Sequence, residues 1–170
     1  MSTILMAILI LAFTIILPLL FIARHRSNSK KQQRDNFHRF STAGTERQLS
    51  FSRQEIVQNK IIGFDGLQQV LMIAELDNNY DITCIPLKEL SSCNIDKIYQ
   101  PSFGPVADNE KVLQEIRLVC YFRDNREPVA ISFYNHHNDS IYVMAEMETK
   151  AKEWQTVISR LLSKPAVVKA

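Results

Sequence analysis

Glycine occurs four times in the 170 residues, as Gly44, Gly63, Gly66 and Gly104. Phosphate-cradling loops need clustered glycines so that backbone N–H groups can close around the anion, and with these four scattered no such loop is present. Cysteine is scarcer still. Cys84, Cys93 and Cys120 are odd in number and lie 9 and 27 residues apart without a C-x-x-C pair. That spacing gives no paired-thiol motif and fits free thiols in a reducing compartment. H-E-x-x-H and G-x-S-x-G are also missing, so no catalytic, cofactor-binding or metal-ligating residue is assigned, no cofactor is expected, and the chain is not read as an enzyme. A strong charge of one sign is absent as well. The net charge is +2, but residues 40–170 carry 14 basic and 17 acidic side chains, which argues against a nucleic-acid partner.

What is present begins with Ile4 to Ala23, ILMAILILAFTIILPLLFIA, uncharged and with 14 of its 20 residues Ile, Leu or Phe. At about 1.5 Å per residue a helix of this length reaches roughly 30 Å, the thickness of a bilayer's hydrocarbon core. A buried core helix is usually shorter, and a cleaved signal peptide would carry a basic start and small residues at its exit, where this chain has Phe21-Ile22-Ala23-Arg24. Residues 1–24 are therefore expected to form a single transmembrane helix. Arg24, Arg26, Lys30, Lys31 and Arg34 follow it, with no charged side chain before it. By the positive-inside rule the N-terminus lies outside and the rest in the cytoplasm at the cell's inner membrane, with these five residues against anionic lipid headgroups.

Residues 25–55 are polar, without an apolar period, and read as a juxtamembrane linker. From residue 56 onward the pattern is that of short strands. Ile56 to Phe64 is followed by Asp65-Gly66, a two-residue hairpin signal, and then by Val70 to Leu76, Tyr80 to Ile85, the alternating stretch Cys93 to Tyr99, and Leu113 to Arg123. In the last of these Ile116, Leu118, Cys120 and Phe122 share one face. Val129, Ile131 and Phe133 mark the next strand. Met147, Ala151, Trp154, Ile158 and Leu161 then repeat at helical period across Ala145 to Ser163, with Trp154 as the expected core anchor.

This order, together with the passages ITCIPLKELSSCN (Ile82 to Asn94), Leu118-Val119-Cys120-Tyr121-Phe122-Arg123-Asp124 with Ile131-Ser132-Phe133-Tyr134, and Ala151-Lys152-Glu153-Trp154 to Leu161-Leu162, resembles bacterial pleckstrin-homology-like domains. The resemblance implies an α+β, mainly β fold over residues 56–165: an antiparallel β-barrel of six or seven strands closed by one amphipathic helix, a scaffold that mostly binds. Phosphoinositide-binding members carry basic residues at the first hairpin, where this chain has Gly63-Phe64-Asp65-Gly66-Leu67-Gln68-Gln69, so that site is not carried over.

Two functional expectations follow. The first is an interaction module with a protein partner, the loop carrying Tyr99, Pro101, Phe103 and Pro105 presenting an aromatic side chain between stiffening prolines. The alternative is a membrane-tethered enzyme or metal-binding protein using His136, His137 and Asp139, the one cluster of metal-ligating residue types in the sequence.

Overall fold

Among the described residues, short runs of β-branched and aromatic residues between polar turns build seven strands. The structure, a computed structural model, describes residues 31–76, 80–101 and 111–162. The chain divides into two compact units, Met1–Ala43 and Gly44–Ala170. The strands all belong to the second: β1 (Arg53–Val57), β2 (Lys60–Asp65), β3 (Val70–Glu75), β4 (Ile82–Pro86), β5 (Leu90–Pro101), β6 (Lys111–Phe122) and β7 (Val129–Asn135).

They form two antiparallel sheets, β1-β2-β3-β4 and β5-β6-β7, in which every hydrogen-bonded neighbour is also a neighbour in sequence. The expected closed barrel is not formed. Pro86 ends β4 without an N–H to extend the ladder, and the single 3₁₀ turn Leu87–Glu89 follows at once. The Leu87 N–H donates to Gln69 O at 2.8 Å and its side chain is buried, so the chain leaves the first sheet at a sharp corner and begins β5 in the second. The fold is α+β with two separate sheets.

The stretch Ile4 to Ala23 lies outside the described residues. Among the described residues no helix is long and apolar enough to cross a membrane. The single-pass anchor, the inner-membrane localisation and the N-out orientation are accordingly withdrawn. The described helices have the wrong composition for that role: α2 (Met144–Leu162) carries six charged residues from Glu146 to Arg160. The other helix, α1, covers residues 31–46, inside the segment read as a linker. Its polar residues carry no apolar period, but 31–43 hold neither Gly nor Pro, and Gln, Arg and Lys are good helix formers.

Gly44 is required by a close approach. A Cβ there would sit 2.3 Å from Phe51 Cε2 and 2.7 Å from its Cζ. Alanine in a helix is ordinarily favoured over glycine by about 1 kcal/mol, but overpacking costs about 1–3 kcal/mol, so Gly44→Ala is expected to destabilise the protein. Chemical denaturation of Gly44→Ala alone and with Phe51→Leu checks this: the smaller side chain should restore much of the loss, and a stabilised single variant would refute it.

The β2–β3 connection is organised by Asp65. The expected two-residue turn is a four-residue one, Gly66 to Gln69, closed by Gln69 at φ 58°. Asp65 is the one buried charged residue among those described. Its Oδ1 accepts the N–H groups of Leu67 and Gln68, both at 2.8 Å, and its Oδ2 accepts that of Ser50 at 2.6 Å. Burial works against the charge, but the three donors outweigh it and hold the carboxyl below its usual range.

The core lies between the inner faces of the two sheets and α2. Ile62, Phe64, Leu71 and Ile73 meet Ile116, Leu118, Cys120 and Ile131, and Met147, Ala151, Trp154 and Ile158 close the cluster from the helix. Ile61, Met72 and Ala74, which alternate with these along β2 and β3, are buried too. A register shift opposite Ile116 and Arg117 lets the successive residues Phe133 and Tyr134 both be buried. Polar ties seat α2: the Trp154 indole N–H donates to Glu55 Oε2 at 3.2 Å, Arg53 bridges Glu153 at 2.8 Å and Glu55 at 3.1 Å, and Lys150 reaches Glu55 at 3.2 Å. Glu148 pairs with Lys97 on β5 at 2.8 Å.

Candidate functional site

Because the sheets do not close, a cleft of about 600 Å³ opens between the β1–β2 turn and the end of β7. One wall is the two-residue turn Gln58-Asn59, with Gln58 at φ 53°, and the adjoining Lys60. The other wall is Glu115 on β6, Ser132 and Asn135 on β7, and Asn138 and Asp139 beyond it. Phe133, buried at the register shift, also lines it.

Both walls are fixed by backbone bonds. Asn59 O accepts the Leu76 N–H at 2.8 Å, tying the turn to the end of β3. Across the cleft, Asn135 O accepts the N–H groups of Asn138 and Asp139 at 3.0 and 2.8 Å, and the Asn135 N–H donates to Asp139 Oδ2 at 2.7 Å. The His137 N–H donates to Asn135 Oδ1 at 3.0 Å, and the His136 N–H to Gln114 O at 2.8 Å. Such a loop presents its side chains with little left to order on binding.

The charges in the cleft are unequal. Lys60 Nζ pairs with Glu75 Oε1 at 2.8 Å. Among the described residues neither Glu115 nor Asp139 takes part in a salt bridge, so the lining combines four carboxamides and a hydroxyl with an excess of carboxylate. Amides donate and accept in equal measure, which suits a peptide backbone, and carboxylates suit a cationic group.

The structure gives the histidine cluster a different part from the one expected. His136 Nδ1 faces Tyr134 Oη at 3.3 Å, the two imidazole centroids are 6.3 Å apart and tilted by 59°, and Asp139 holds its own loop. Among the described residues no three His, Cys, Asp or Glu side chains are grouped to hold a metal ion. Tyr99 is half exposed near the end of β5, and Pro101, its last residue, pairs with Lys111. Phe103 and Pro105 lie outside the described residues, as do Arg24, Arg26 and Lys30; Lys31 and Arg34 are exposed on α1. Of the residues singled out in the sequence as candidates for a site, only Asp139 lines the cleft. Ser132 lies 7 residues before it and Glu115 24, whereas Gln58, Asn59 and Lys60 lie 79 to 81 residues before it, with no motif to link them. The polar run Asn135 to Asp139 is the one local signal pointing there.

Compared with known proteins, the chain matches no family model, no curated protein and no solved structure.

Proposed function

We propose that the Gly44–Ala170 unit is a pleckstrin-homology-like interaction module that takes a basic side chain of a protein partner, with its flanking backbone, into the cleft between the β1–β2 turn and the end of β7. The order of four strands, three strands and a closing amphipathic helix supports the resemblance read from the sequence. The observation that carries the ligand class is the lining itself, with Glu115 and Asp139 facing a space in which the one lysine is already engaged by Glu75. A volume of about 600 Å³ falls within the range of small-ligand sites and accepts an Arg or Lys side chain with neighbouring backbone.

Titration of the full chain with short peptides rich in Arg and Lys, and with matched peptides rich in Asp and Glu, tests this by amide chemical-shift mapping. The basic set is expected to shift residues of the cleft. Glu115→Gln and Asp139→Asn should each weaken binding about 3- to 30-fold, corresponding to about 0.6–2 kcal/mol for a partly desolvated charge pair. Asp139→Asn keeps an oxygen for the Asn135 N–H, so its melting temperature should move little. Equal response to both peptide sets, or shifts confined to other surfaces, would reject the reading.

A further inference from the structure

Cys93 and Cys120 are 27 residues apart in sequence and face each other across the β5–β6 ladder. Register is unbroken from Ser92 to Ile98, between the two shifts in this ladder, so the opposition is held by paired strands on both sides of it. The sulfurs are 3.5 Å apart, and both side chains are buried in the core, at 4% and 0% exposure. Directly opposed residues of antiparallel strands have Cα atoms about 4.5–5.5 Å apart, inside the span of about 4.4–6.8 Å that a disulfide bridges. The sulfurs need to approach by only about 1.5 Å to reach bonding distance near 2.05 Å. That movement is a side-chain rotation.

We propose that this cross-strand pair is an oxidative modification site, converted within the folded chain to a Cys93–Cys120 disulfide by a peroxide. Cys120 attacks the peroxide first. Its sulfur forms an S–O bond as the O–O bond breaks, and the departing hydroxide leaves as water with one proton. The Cys93 sulfur then attacks the Cys120 sulfur, the S–S bond forms, the S–O bond breaks, and hydroxide leaves as water with the Cys93 proton. Two thiols lose two electrons to one peroxide, and two waters result. The roles follow from the contact between the sulfurs, which together with burial holds the Cys93 thiol up and, in the other direction, lowers that of Cys120 below the usual thiol range.

Access is through the sheet edge. β5 is an outer strand of its sheet, and at this point α2 covers it through Gln155, whose Nε2 donates to Cys93 O at 3.1 Å. Oxidant therefore reaches the pair when the helix opens locally from β5, and reaction is expected over minutes to hours. Cys84 supplies the contrast. It is exposed on β4, opposite Met72 in the other sheet, and would be the preferred target if exposure alone decided reactivity.

The test uses the full chain carrying Cys84→Ser, treated with hydrogen peroxide under native conditions, its thiols then counted in denaturant. Both thiols should disappear together, the mass should fall by two hydrogens, and a non-reducing digest should yield the Cys93 and Cys120 peptides joined. The melting temperature should rise by about 5–10 °C and return after reduction, since the bond closes a loop of intermediate length. Should Cys84→Ser fold poorly, wild-type protein alkylated at Cys84 in its native state replaces it. Recovery of both thiols after treatment, accumulation of sulfinic acid on Cys120, disulfide-linked dimers, or a bond that forms only in unfolded chain would each overturn the proposal.

Discussion

Trp154→Ala should destabilise the protein by about 3–5 kcal/mol, the range for emptying a large aromatic site in a core, and lower its melting temperature by roughly 10–20 °C. The indole is fully buried among the residues that join α2 to both sheets. Its N–H reaches Glu55 Oε2 at 3.2 Å and the Arg53 guanidinium lies 4.8 Å from the ring centroid, so one side chain fills the core and receives two contacts from β1. Volume outweighs the polar contacts. Glu55 keeps Lys150 and Arg53 when the indole is lost, and Trp154→Phe, which removes the donor and retains most of the apolar bulk, is expected to cost only about 1–2 kcal/mol. Denaturant titration of the two variants separates the effects. A Trp154→Ala loss below about 1 kcal/mol would contradict a core-anchoring role.

Asp65→Ala is expected to cost about 2–4 kcal/mol, because it leaves the Ser50, Leu67 and Gln68 N–H groups without the charged acceptor that ties them together in part-buried hydrogen bonds. Asp65→Asn should recover only part of this. Its single amide oxygen can serve the Leu67 and Gln68 donors or the Ser50 donor, but the two sets reach different oxygens of the carboxylate. The sign of the pH dependence follows from the folded-state carboxyl lying below its usual range. Its stabilisation is complete above the unfolded value, near pH 4, and is lost as pH falls through the lower folded value. The stability difference between wild type and Asp65→Asn should be constant above about pH 5 and shrink in acid. Urea titrations from pH 2 to 7 measure it, and a difference that grows in acid would refute the assignment.

Elements with one buried face were legible in the sequence. The stripe Met147, Ala151, Trp154 and Ile158 is the buried face of α2, and Ile116, Leu118, Cys120 and Phe122 form the inner face of β6. Where both faces are buried, period disappears. β2 and β3 read KIIGFD and VLMIAE, nearly continuous apolar runs without alternation. The β1–β2 turn was hidden for another reason: Gln58 takes a positive φ normally supplied by Gly or Asn, so Ile56 to Phe64 looked like one strand. With so few glycines, the left-handed positions among the described residues fall to Gln48, Gln58, Gln69, Tyr80 and Asn125. The cleft was illegible because it exists through the separation of two sheets, and no local pattern records that a barrel stays open. The Cys93–Cys120 contact depends likewise on register across a hairpin and not on spacing.

The ties between β1 and α2 give the order in which this structure can be completed. Each sheet is a ladder of sequence neighbours, able to zip from hairpin to hairpin with little loop to close. The bonds from Glu55 to Trp154 and from Arg53 to Glu153 instead join residues 99 and 100 positions apart. During synthesis the strands emerge first and can pair early, but their shared apolar surface stays uncovered until Trp154 has left the ribosome. Seating α2 is thus a late step of folding, and a nascent chain paused before it exposes the faces that the finished protein buries.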